Sequence, residues 1–179
     1  MRRRIMAKSD SFFIRAKVQT NAGSYAQTEI DLGSFVNLGV SKSTLLRIHN
    51  VSVQLSDDTG PAYAIYSIVA PGAKLGWQLT TQTQTALVTA DDKSVVSSGS
   101  LTSFGDPTAT AHPQQNTHVD DINPQSWQNG YLIGVDNLFL AVDDTGTFAG
   151  GEINVCIVME CTLETATQAS STALALSQQ

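Results

Sequence analysis

Charge is scarce in this sequence. Only 15% of its 179 residues are Asp, Glu, Lys or Arg, against about 25% in an ordinary soluble domain. The surface must therefore be covered largely by Ser, Thr, Gln and Asn. Neutral polar groups lose less on desolvation than unpaired charges, so a surface of this kind is buried against a neighbour at lower cost. Positive charge is scarcer still: ten Lys and Arg face sixteen Asp and Glu, a formal net charge of −6. That balance excludes the broad basic footprint of a dedicated nucleic-acid-binding domain.

Cysteine is nearly absent. Cys156 and Cys161 fall in one predicted strand, five positions apart, which sets them on opposite faces and about 16 Å from each other. They cannot bridge without breaking the strand. With no histidine nearby they also make a poor zinc site, and they read as small core or interface residues. No run approaches the roughly 18 apolar residues of a membrane-spanning helix. No apolar segment follows the N-terminal arginines as in a secretion signal, so the chain is expected to be made in the cytoplasm and not exported by a standard signal.

The residues that carry chemistry are also sparse. His49 lies in a strand pattern, whereas His112 and His118 lie in a predicted loop, and nothing gathers the three. There is no Gly-x-Ser-x-Gly elbow and no phosphate-cradling glycine loop ahead of a helix. The reading is of a protein that is not an enzyme, with no catalytic residues, no metal ligands and no cofactor. Four carboxylate pairs stand out: Asp57-Asp58, Asp91-Asp92, Asp120-Asp121 and Asp143-Asp144. Clustered carboxylates can hold calcium, but none has the spaced pattern of a calcium loop, and Asp favours tight turns for backbone reasons alone.

What the sequence does contain is alternation. Phe12, Ile14, Ala16 and Val18 alternate with Phe13, Arg15, Lys17 and Gln19, the period-two signature of a half-buried strand. The same rhythm predicts strands over Gln27 to Leu32, Leu45 to Leu55, Ala62 to Val69, Lys74 to Thr81, Thr85 to Thr89, Ser94 to Thr102, Tyr131 to Val142 and Ile153 to Leu163. Asn, Asp, Gly and Pro clusters separate them, including Asp57 to Pro61 and Asp143 to Gly146. The expected fold is all-β, an antiparallel sandwich of about eight strands.

Three segments fall outside that rhythm. Residues 1–10 form a short basic arm in which Arg2, Arg3 and Arg4 are candidates for contact with nucleic acid or anionic lipid, although a start at Met6 would omit them. Residues 105–128 carry Pro107, Pro113 and Pro124 and read as one long loop within a single domain, 11–164. Residues 165–179 read as a polar tail whose Leu174 and Leu176 are candidate contacts with a neighbouring subunit. Two exposed aromatic candidates, Trp127 and Tyr131, flank Asn129-Gly130, whereas Trp77 shares a strand face with Leu75 and Leu79 and reads as core.

The low-charge body, basic arm, late loop and polar tail resemble the single jelly-roll capsid proteins of small icosahedral viruses. Segments such as Leu46-Arg47-Ile48-His49-Asn50-Val51 and Trp127-Gln128-Asn129-Gly130-Tyr131-Leu132-Ile133-Gly134-Val135 are similar to short capsid-like proteins of uncultured marine viruses. The resemblance covers roughly residues 12 to 179. It implies a jelly roll, partners that are copies of this chain and other capsid proteins, a genome contact through the arm, and residence in the virion. The alternatives are a β-sandwich ligand-binding module, such as a carbohydrate-recognising attachment protein using Trp127 and Tyr131, and a tail, filament or decoration subunit.

Overall fold

The computed structural model describes residues 10–38, 41–60, 67, 72–104 and 115–179. Nine strands lie among them: β1 Phe12–Gln19, β2 Ala26–Asp31, β3 Lys42–Asp57, β4 Gly72–Thr80, β5 Val95–Phe104, β6 Gln115–Ile122, β7 Tyr131–Ile133, β8 Asn137–Thr145 and β9 Ile153–Thr167. A short 3-10 turn, Pro124–Ser126, precedes β7, and one helix, α1 Gln168–Ser177, follows β9. The strands form two antiparallel sheets with the orders β1-β9-β3-β7 and β2-β8-β4-β5-β6. The chain passes from one sheet to the other at β1–β2, β2–β3, β3–β4, β5/β6–β7, β7–β8 and β8–β9. This double Greek-key wrapping of eight strands is a jelly roll, and β6 is a ninth strand added at one edge.

Alternation decides which side chains face inward. Ile153, Val155, Ile157, Met159 and Cys161 of β9 are all buried, as are Leu75, Trp77 and Leu79 of β4 opposite them in the core. Cys156 and Val158, on the other face of β9, are half-buried. Both thiols are free. Trp77 fills the middle of the sandwich, and its cross-strand partner is Gly99. A Cβ at that position would sit 2.7 Å from the indole nitrogen, so the strand needs glycine where the ring lies against it. Gly130 is required for a different reason. Its φ is +61°, and a Cβ there would stand 2.2 Å from the carbonyl oxygen of Ile48.

Five expectations need correction. Tyr131 to Val142 is not one strand: β7 pairs with β3 in the first sheet, β8 pairs with β4 in the second, and Gly134 to Asp136 carries the chain across. Period-two alternation is blind to which sheet a strand joins. Thr85 to Thr89 is not a strand; its backbone is instead held by a side chain, Gln78, whose Oε1 accepts from Val88 N at 2.9 Å and whose Nε2 donates to Val88 O. The predicted loop 105–128 contains β6, whose polar residues pair with β5. The residues from 165 onward do not all leave the sheet, because β9 runs on to Thr167 and pairs with Lys42 to Thr44. Asp143 and Asp144 lie within β8 rather than in a turn. The strand predicted over Ala62 to Val69 lies outside the described residues apart from Ser67, which bridges to Phe148.

Candidate assembly surface

After β9 the chain turns into α1 at Thr167, whose side-chain oxygen accepts from Ser170 N at 3.3 Å and so caps the helix start. The helix is tied to its own domain. The Ser171 hydroxyl donates to the Ser43 hydroxyl at 2.9 Å in a buried contact, and Leu174 lies against Gly134, where a Cβ would be 3.0 Å from the leucine. The penultimate residue makes the firmest attachment. Gln178 Oε1 accepts from Gly134 N at 2.9 Å, its Nε2 donates to Leu132 O at 2.6 Å, and its own carbonyl accepts from Thr81 Oγ1 at 2.6 Å. One side-chain amide thus supplies the donor and acceptor that a further strand would offer beyond β7. Its backbone reaches the other sheet at the end of β4. Sequence reasoning missed this role because a terminal Gln-Gln reads as solvated tail.

Leu176 points away from this attachment and is 66% exposed. Of the two tail leucines, therefore, Leu174 is half-buried against its own domain and Leu176 is free on the surface. Other large apolar groups at the surface are Phe13, Phe104, Val119 and Trp127. Phe13 sits beside Arg15, whose guanidinium lies 5.8 Å from the ring centroid. Next to them on the outer face of the four-stranded sheet, Arg15, Lys17, Gln54, Cys156 and Val158 line a shallow hollow of about 470 Å³.

The remaining candidates are scattered. His49 Nε2 is 2.8 Å from Thr162 Oγ1 on the four-stranded sheet, and His118 Nε2 is 3.7 Å from Asp120 on β6. His112 and Arg2, Arg3 and Arg4 lie outside the described residues. Asp57 and Asp92 are turn residues in the sense expected: Asp57 Oδ1 accepts from Thr59 N at 2.8 Å and Asp92 Oδ1 from Ser94 N at 2.8 Å. Asp144 is buried beside Gly23, whose N–H it accepts at 3.2 Å. Burial raises its carboxyl above the ordinary range; the Gly23 bond opposes this, and Glu152 and Asp143 add to it. Among the described residues no three His, Cys, Asp or Glu side chains converge as metal ligands would. No helix among them is long and apolar enough to cross a membrane.

Trp127 and Tyr131 do come together, with ring centroids 5.6 Å apart at an interplanar angle of 36°. Beside them Arg47 holds Glu164 through two nitrogens, Nε and Nη2, and donates from Nη1 to Asn129 O at 2.6 Å. This fork raises the Arg47 pKa and fixes the turn that carries both rings.

No protein-family description matches the chain, and no curated protein matches it in sequence. Solved structures do. VP1 of Human Polyomavirus 12, determined with 3'-sialyllactosamine, matches with 9% identity and a TM-score of 0.45, covering 88% of this chain and 100% of that one. VP1 of trichodysplasia spinulosa-associated polyomavirus, determined with sialylated glycooligomers, matches with 13% identity and a TM-score of 0.37, covering 86% of this chain and 95% of that one. The likeness is one of overall fold. The assignment of the fold rests on the strand order itself.

Proposed function

We propose that this chain is a structural viral protein, a capsid subunit that assembles with copies of itself into a shell enclosing the genome. The observation that carries the reading is the complete jelly-roll strand order in a chain with only 15% charged residues. Two packed sheets make a stiff block whose surface is cheap to desolvate. Closed symmetry lets a modest contact be repeated many times. In this reading Leu176, with Leu174 behind it, meets a neighbouring subunit. Arg2, Arg3 and Arg4 face the shell interior and neutralise part of the genome's charge, other capsid proteins join the copies of this chain as partners, and the protein resides in the virion.

Electron microscopy and size-exclusion chromatography of the purified full chain test this. Closed particles are the expected outcome; open tubes would indicate a filament subunit, and a monomer at every concentration and salt would overturn the reading. Leu176→Ser should keep the β-sheet circular-dichroism spectrum and cut particle yield at least tenfold. Replacing Arg2, Arg3 and Arg4 by Gln should lower the nucleic acid that copurifies with the particles.

The pair Trp127 and Tyr131 favours one further reading, a glycan-binding attachment role, because an aromatic face 42% exposed beside a second ring is suited to stacking on a sugar. A glycan array answered by wild type and lost with Trp127→Ala would support it.

A further inference from the structure

Among the described residues, three of the four outer edge strands are tied to another segment, β7 at its backbone and β2 and β1 through a side chain of their own. Gln178 binds the backbone of Leu132 and Gly134 beside β7, Gln27 on β2 accepts from Gln84 N at 3.0 Å, and Gln19 on β1 donates to Asp58. The fourth edge is β6. From Gln115 to Asp121 it is exposed on both faces, and it pairs with β5 as the last strand of its sheet. Among the described residues no side chain from another element is bound to those of Thr117 to Asp120. A strand presenting an open edge is a template for another strand.

The order of side chains selects the partner. His118 and Asp120 project on one face and Val119, 45% exposed, on the other. If β6 meets a second copy of itself antiparallel with Val119 opposite Val119, each His118 stands opposite the other copy's Asp120. The two histidines and two aspartates then alternate around the two-fold axis, so that each carboxylate faces an imidazole rather than another carboxylate, and the valines meet on the opposite face. Shifting the centre to Asp120 sets acid against acid. Directly opposed side chains lie about 4.5–5.5 Å apart at Cβ, where opposite charges attract and like charges repel.

We infer that β6 pairs with β6 of a second copy about a two-fold axis at Val119, joining two five-stranded sheets into one ten-stranded sheet. Such an isologous contact closes on itself and yields a dimer. It does not depend on the shell reading, since a dimer forms by this route whether or not particles follow.

Sedimentation equilibrium of the full chain should show a monomer–dimer step, or dimers as the smallest unit released from particles. His118→Asp sets four acids around the axis and should weaken dimerisation at least tenfold, and the exchange H118D/D120H should restore it. Both positions are exposed, so circular dichroism should be unchanged in each variant. Register is read by disulfide trapping with peptide mass analysis. Val119→Cys should link to its own copy at least tenfold faster than Thr117→Cys, because the two Thr117 positions are separated by four residues of strand, about 13 Å. Dimerisation of H118D equal to wild type, or trapping of Val119→Cys no faster than Thr117→Cys, overturns the inference.

Discussion

The side chain of Gln125 is bound at both ends to a single residue, Val51: its Oε1 accepts from Val51 N at 3.1 Å and its Nε2 donates to Val51 O at 3.1 Å. Val51 lies in β3 just past the point where the three-residue β7 stops pairing with it. The amide therefore finishes by a side chain what a longer β7 would have done by its backbone. Gln178 and Gln78 do the same at Leu132/Gly134 and at Val88. Glutamine suits the task because its primary amide carries a donor and an acceptor side by side, as the peptide group does.

Gln125→Ala should cost about 1–2 kcal/mol, since it leaves a part-buried backbone pair with water as the only replacement. Gln125→Glu should cost at least as much, because a carboxylate cannot donate to Val51 O. Urea denaturation of the three proteins measures both.

Gln178→Ala should be more damaging, about 1–3 kcal/mol, because it orphans the buried Gly134 N–H. Deleting residues 178–179 should cost more again, since Thr81 also loses its acceptor. Hydrogen exchange at Gly134 should speed up in both variants. Unchanged exchange there would show that the tail is a passive appendage.

Gly99→Ala should destabilise by about 1–3 kcal/mol, the range for overpacking a filled core. It should also alter the Trp77 near-ultraviolet dichroism, as the added methyl meets the indole. A second substitution, Trp77→Phe, should recover part of that loss by vacating the ring edge nearest the new methyl.

Asp144→Asn should raise the thermal midpoint at neutral pH. The folded carboxyl titrates above its unfolded value, so its ionised form opposes folding. Stability from this group rises as pH falls through the folded pKa towards the ordinary value of about 3.9, and is lost as pH climbs back. The asparagine variant should lack that increment, while its side-chain oxygen still accepts from Gly23. A wild-type and variant midpoint difference that is constant from pH 4 to pH 7 would contradict this assignment.

The two thiols should differ sharply. Burial pushes the Cys161 thiol up to about 12, and the thiolate is the reactive species. A thiol reagent at pH 8 should therefore label the half-buried Cys156 in the native protein and reach Cys161 only on denaturation. Equal labelling rates under native conditions would mean that the core opens around β9.

Alternation, composition and turn chemistry determined a good deal of this protein on their own. The inward rows of β1, β4 and β9, the core position of Trp77, the opposite faces of Cys156 and Cys161, and the turns at Asp57 and Asp92 follow from a period of two and from local backbone preferences, which act over a few residues. Only the tertiary structure decided how Tyr131 to Thr145 divides between two sheets, because alternation is identical whichever sheet a strand joins. It decided that the polar run Gln115–Ile122 is a strand, because β5 supplies hydrogen bonds to a segment that buries almost nothing of its own. It also decided that Gln178 is structural: the backbone groups that its side chain satisfies lie forty-four and forty-six residues away in the chain. A pattern read over neighbouring residues carries no information about an unpaired edge created by distant ones.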